Sequence, residues 1–335
     1  MELMETPTRH RLNTITKDLP WREDLASLRD ELLAKGLTDD IPAAGAFWDQ
    51  AESTRNQHQR CGEPDASPGC QVKTRYIYQV FRKTTKELFF AQAVFGFELA
   101  SADPRVVAIN LVGAEDDYIP MTDYAEHMRM IGFLRTLYPK VRVSLHAGEL
   151  APGLVPPEGL CCHVRLAVEV AKTDRIGHGV DVMYEDRPYE LKDMAAKLVM
   201  VEINLTSNDV ILGIKGKDHP FSLYRKFGVP MALSTDDEGV SRIDLTNEYV
   251  RAVESYDLSY ADLKHLVRNS LEYSFLPGAS LWASPDFARF ADACGAEVAS
   301  VDKPGSACET FLKVSEKAEQ QWELERRFRV FEAGF

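Results

Sequence analysis

Apolar positions along this chain follow two spacings. Across residues 21–35, Leu25, Leu28, Leu32 and Leu33 recur at helical intervals, and Gly36 stands where a C-terminal cap belongs. Before that segment, residues 1–4 read as a strand, and Pro7 breaks the run. After it, residues 54–71 are polar and rich in turn formers, which predicts a surface loop. The chain then becomes repetitive. Short apolar runs at 76–81, 106–112, 141–145, 175–177, 198–205 and 229–234 predict strands. Segments at 85–100, 124–137, 163–171, 189–197 and 221–227 predict the helices that alternate with them. Helices dominate from there on, including a charged stretch over 309–331 that reads as a solvated helix face.

Strands alternating with helices at this spacing mean βα units and a parallel sheet. No Gly-x-Gly-x-x-Gly follows an early strand, which argues against a dinucleotide-binding fold. The expected fold is therefore α/β, a TIM-type (β/α)8 barrel ending in helices. The 335 residues suit one barrel domain of about 250 residues with extensions, or two smaller domains, and the strand–helix alternation favours the single barrel.

Composition narrows the function. The chain is 45% hydrophobic and 27% charged, with a net charge of −13. Such an acidic surface does not attract phosphate backbones, so nucleic acid is not an expected partner, while a neutral small molecule is not repelled. No run of about 18 apolar residues is present to span a membrane, and residues 1–20 lack the order of a signal peptide. None of the six cysteines forms a Cys-x-x-Cys pair, so a thiolate metal site is not indicated. Cys61 and Cys70 flank one polar loop, and Cys294 and Cys308 bracket another. Each pair is either a disulfide of an exported protein or two thiols of a cytoplasmic one.

Four strand ends carry the chemistry. They read Ser144-Leu145-His146-Ala147-Gly148-Glu149, Arg175-Ile176-Gly177-His178-Gly179, Glu202-Ile203-Asn204-Leu205-Thr206-Ser207-Asn208 and Leu233-Ser234-Thr235-Asp236-Asp237. One polar strand end is unremarkable, and an Asp-Asp pair is usually a turn or a cap. Four in succession, one βα unit apart, converge on one mouth of a barrel. His146 can bind zinc through one nitrogen, and Glu149 can act as a general acid. His178 lies between glycines that let the backbone approach a ligand. Asp236 and Asp237 are adjacent and must point in different directions, so one can bind metal while the other accepts a hydrogen bond from substrate. Asn204, Ser207 and Asn208 read as residues that orient the ligands or line the pocket, with loop capping as the alternative. His10, His58, His127, His163, His219 and His265 lack such a context and read as surface or packing residues.

These motifs resemble the adenosine deaminase family. The order His-Ala-Gly-Glu, Gly-His-Gly, Ser-Asn and Ser-Thr-Asp-Asp is similar to that family's series on barrel strands five to eight. Asn110 to Glu115 look like the end of strand four, and Asn269-Ser270 with Ser274-Phe275-Leu276 look like its closing helix. The resemblance covers residues 74–280, with a looser likeness before it to the growth-factor-related branch. It implies one Zn2+ per full-length chain, with His146 and Asp236 as two of four protein ligands. His178 would deprotonate a water, Glu149 would protonate the purine ring, and Asp237 and the Gly113 N–H would bind it. The implied reaction converts adenosine or 2′-deoxyadenosine to inosine or its deoxy form and ammonia. The alternatives are a non-catalytic remnant, or a deaminase of adenine, AMP or a modified adenosine. The family's first strand ends in His-x-His, and no His-x-His occurs in this chain. The expectation is of an incomplete barrel, beginning inside strand two. Compartment and oligomeric state stay open.

Overall fold

In the first part of the chain the sheet is built in sequence order. The computed structural model describes residues 2–5, 10–185, 190–295 and 303–335. It divides into two compact units, Met1–Val199 and Met200–Phe335. The first unit runs β1 (Glu2–Glu5), α1 (His10–Thr16), α2 (Leu25–Ala34), α3 (Ile41–His58), β2 (Arg75–Phe81), α4 (Lys86–Ala102), β3 (Val106–Val112), α5 (Tyr118–Leu137), β4 (Arg142–Ala147), α6 (His163–Glu169), β5 (Arg175–His178) and α7 (Glu190–Lys197). Each strand from β1 to β5 pairs in parallel with the next. Parallel neighbours require a crossover, and the intervening helices provide it. The α/β class read from the sequence holds.

The strands are short apolar runs because both faces are covered. Ile77, Tyr78, Val80, Ala108, Ile109, Leu111, Val143 and Leu145 are all buried. Helix α4 is apolar on nearly every side, as its setting requires. It touches β2, β3, α5 and α1. Gly96 allows the close approach to the sheet, since a Cβ there would lie 2.6 Å from Tyr78 Cδ1.

The second unit comprises β6 (Met200–Ile203), α8 (Leu205–Leu212), α9 (Phe221–Phe227), β7 (Met231–Leu233), α10 (Glu238–Ser241), α11 (Leu245–Tyr256), α12 (Tyr260–Glu272), α13 (Ser306–Val314) and α14 (Glu316–Glu332). Strands β6 and β7 are parallel. Helix α12 is tied to β7 by Asn269, whose amide donates to the Met231 carbonyl at 2.8 Å. Leu281, Trp282, Phe287, Phe290, Leu312 and Trp322 form a separate apolar cluster under α13 and α14.

Three expectations need correction. Residues 54–58 are helical, the last turn of α3. Pro42 suits the first turn of that helix, and it buries only Ala44 and Trp48, so its polar C-terminal half carries no hydrophobic signal. The strand expected over 198–205 is shorter, and residues from Leu205 on are helical because the buried Glu248 accepts from the Thr206 N–H at 3.2 Å. The charged C-terminal stretch is two helices and is not simply solvated. Gln321 of α14 is buried and accepts from the Leu281 N–H at 2.7 Å.

Disulfides join Cys61 to Cys70 and Cys294 to Cys308, the two pairs noted from the loops, and also the neighbours Cys161 and Cys162. Among the described residues no helix is long and apolar enough to cross a membrane.

Helix α5 offers a test of this packing. An alanine in a helix is worth about 1 kcal/mol more than a glycine. At Gly132, however, the added Cβ would land against the Val170 backbone carbonyl oxygen, which cannot rotate away. We expect Gly132→Ala to lower stability by about 1–3 kcal/mol. A lowered urea midpoint with an unchanged slope would show it, and a raised midpoint would refute the packing described.

Candidate functional site

In the first unit the strand ends are joined by a buried charge pair. Arg82 directly follows β2 and is fully buried. Its Nε donates to the Gly113 carbonyl at 2.6 Å, and its Nη1 donates to the His146 carbonyl at 3.1 Å. One side chain thus ties the ends of β2, β3 and β4. The same Nη1 lies 3.5 Å from Glu115 Oε2.

Glu115 is the acceptor for the turn after β4. Its carboxylate takes the Gly148 N–H and the Glu149 N–H, each at 3.0 Å, and His163 Nδ1 at 2.6 Å. Burial pushes its pKa up, but the Arg82 guanidinium, the His163 hydrogen bond and the Gly148 N–H outweigh burial and bring it down to about 2. The His163 ring stacks on Tyr124 with centroids 3.7 Å apart.

The three chemistry-bearing side chains of this unit lie together. His146 is half-buried, and its Nδ1 lies 3.0 Å from Asn110 Oδ1. That same Oδ1 accepts the His146 and Leu111 N–H groups, at 3.0 and 2.7 Å. With Nδ1 turned to Asn110, Nε2 is the nitrogen that would bind a metal. His178 is completely buried, its ring centroid is 4.9 Å from that of His146, and its Nδ1 is 3.7 Å from Glu149 Oε1. Its φ of 72° places it in the left-handed region, which is uncommon for a residue with a side chain and typical of functional turns. Gly179 and Val180 fasten the turn by donating to the Ala147 and Gly148 carbonyls at 3.0 and 2.8 Å.

Behind Gly148 lies a second buried acid. Neither oxygen of Asp181 has a hydrogen-bond partner among the described residues. Burial first, then the nearby Glu185 and Glu115, push its pKa well up, so it is held neutral. Gly148 makes room for it: a Cβ at 148 would collide with Asp181 Oδ1. Burial also pushes Glu185 up to about 8, although it accepts the Val164 and Arg165 N–H groups at the start of α6.

The second unit presents Asp236 just past β7, also left-handed with φ 54°. Ser207 Oγ donates to Asp236 Oδ2 at 2.8 Å, the orienting role expected of it. Asn208 Oδ1 faces His219 Nε2 at 3.1 Å, and His219 Nδ1 accepts the Phe221 N–H. Asp237 is exposed at the start of α10.

The donor set fits zinc in kind. His146 supplies an imidazole nitrogen oriented by an amide, and Asp236 supplies a carboxylate oriented by a hydroxyl. The expectation for the histidines is refined as well. His163 and His219 are buried hydrogen-bonding residues, and His127 is a core residue stacked on Phe89. Arg82, Asn110, Glu115 and Asp181 were assigned no role from the sequence. The usable signal was their place, within a few residues of a strand end.

Comparison with known proteins identifies a family for the chain. A family described as Adenosine deaminase matches residues 53–281. The adenosine deaminase of Clostridium perfringens is 33% identical over 173 residues, 51% of this chain and 47% of that protein. That of Enterococcus faecalis is 31% identical over 172 residues, 51% and 46%. The chain spans about half the length of the curated relatives it matches. Among solved structures, an adenine deaminase from Arthrobacter aurescens shares the fold, with TM-score 0.51, 19% identity and 76% and 75% of the two chains covered. A structure described as an ADAL–IMP complex has TM-score 0.50 and 25% identity, covering 62% and 55%. The fold is that of an incomplete (β/α)8 order with C-terminal helices.

Glu115 makes a pH test. Its folded pKa of about 2 lies below the ordinary 4.5, so its contribution is present above 4.5 and is lost as pH falls toward 2. The shift corresponds to roughly 3 kcal/mol. Asp181 and Glu185, shifted upward, act with the opposite sign, and their contributions fall as pH rises above about 4. We expect Glu115→Gln to cost about 3–5 kcal/mol near pH 7 by leaving Arg82 buried without its countercharge. The difference from wild type should shrink between pH 4.5 and 2. Urea unfolding across pH measures it, and a pH-independent difference would refute the assignment.

Proposed function

The chain belongs to the adenosine deaminase family, and on that premise we propose that it is a zinc-dependent hydrolase that converts adenosine or 2′-deoxyadenosine to inosine or its deoxy form and ammonia. The observation that carries the reading is the turn after β4. There Glu149 is fixed by its N–H on Glu115, with its carboxyl 3.7 Å from His178 and its position three residues beyond the amide-oriented His146.

His146, through Nε2, and Asp236 would hold the zinc. When bound, the zinc supplies acidity to a water, allowing hydroxide to form near neutral pH. His178 would take the proton from the attacking water. Glu149 would protonate the ring nitrogen next to the attacked carbon, which makes that carbon electrophilic. The water oxygen would add to that carbon first, and the amino group would then leave as ammonia with one proton passed on by His178, while the proton from Glu149 stays on the ring nitrogen and the second water proton restores Glu149. Asp237, exposed beyond Asp236, would share a hydrogen bond with the five-membered ring. The Gly113 N–H would meet the opposite edge of the purine. Its φ of 97° supports this, because a side chain there would crowd Phe81 and Lys83 at 3.1–3.2 Å.

Ammonia release from adenosine, with zinc content measured on the same sample, tests the reading. We expect Glu149→Gln to lower turnover by about 10²–10⁴-fold while zinc content stays constant. Undiminished turnover would remove Glu149 from the proton-donor role. Failure of adenosine to react in a zinc-loaded sample would remove the substrate assignment.

A further inference from the structure

We propose that the Lys83–Asp117 ion pair is a specificity device that sets the site for a 5′-hydroxyl nucleoside and against a 5′-phosphate. The inference rests on the nucleoside reading above. Strand β2 ends at Phe81, and Arg82 turns into the interior, so Lys83 points outward. Its stem lies over Gly113: a Cβ built on Gly113 would be 3.2 Å from both Lys83 Cγ and Cδ. Its ammonium is engaged by Asp117 at the end of the loop that follows β3. Asp117 precedes α5 but makes no side-chain capping bond to it, so its carboxylate serves the lysine and not the helix.

The chemistry of the purine places the sugar here. If the carbon bearing the amino group is the reacting one, the edge opposite it faces the Gly113 N–H. The sugar-bearing nitrogen is bonded to the same ring carbon as the nitrogen of that edge. The sugar therefore projects beside Gly113. A cavity of about 200 Å³ opens there, lined by Leu12, Asn13, Phe81, Lys83, Thr84 and Leu88. Lys83 is its cation, and Asp117 cancels that charge. The neighbouring charges do not restore it, since Asp116 is a further exposed acid and Lys86 is paired with Asp123 at 3.5 Å. A phosphate dianion would meet a neutralised lysine and a nearby carboxylate. A hydroxyl would meet no such repulsion.

The probes are inosine and inosine 5′-monophosphate, titrated calorimetrically into the chain as it stands. We expect wild type to bind inosine at least as well as the monophosphate. Asp117→Asn should shift the ratio toward the monophosphate by about tenfold, and the shift should fade at high salt. Adding Lys83→Gln should return the ratio to that of wild type, which a merely structural effect would not do. Circular dichroism verifies that each variant is folded. An unchanged ratio in Asp117→Asn overturns the proposal while leaving the nucleoside reading intact, whereas a wild-type preference for the monophosphate overturns both. Binding of neither ligand by any form overturns both.

Discussion

A single buried carboxylate organises the first unit's half of the site. Glu115 carries full charge where no water reaches it. That state is tolerable only because a guanidinium, an imidazole nitrogen and two backbone N–H groups converge on it. Those groups belong to β2, β4 and α6 or to the segments next to them, so satisfying one charge fixes the ends of several elements against one another. Glu149 has its place through its own N–H. His146 is fixed independently, through Asn110 on the neighbouring strand and through Arg82 on its carbonyl.

Around that charge the chain distributes cost unevenly. Asp181 is held neutral close to a carboxylate held ionised, a separation of protonation states set by partners and not by residue type. His178 and Asp236 occupy backbone conformations that ordinary residues avoid. Such positions persist where surrounding structure over-determines them, and they cluster where geometry matters more than stability.

The alternation of strands and helices was legible because parallel strands buried on both faces leave continuous apolar runs, as at Val106–Val112. The helix Ile41–His58 was not, because it buries too few residues to leave a period. His146, Glu149, His178 and Asp236 were legible because ionisable residues end apolar strands, and Ser207 because it follows one. The supporting set was not. Arg82 and Glu115 are far apart in sequence, and nothing local marks one as the countercharge of the other. The structure also separates the histidines by role. His163 looked like any other histidine at the start of a helix, and only its 2.6 Å contact with Glu115 sets it apart.

The space beside Gly148 has a consequence for how this sequence can vary. Any side chain at 148 would have to occupy the volume that the Asp181 carboxyl now fills, and would do so from a left-handed backbone. Residue 181 could shrink only by leaving a void behind the turn that carries Gly148 and Glu149. The two positions are thus bound into one heritable unit, in which neither letter can drift alone. In a lineage of such chains, a change at 181 should travel with a compensating repacking around the turn, while 148 should stay as it is.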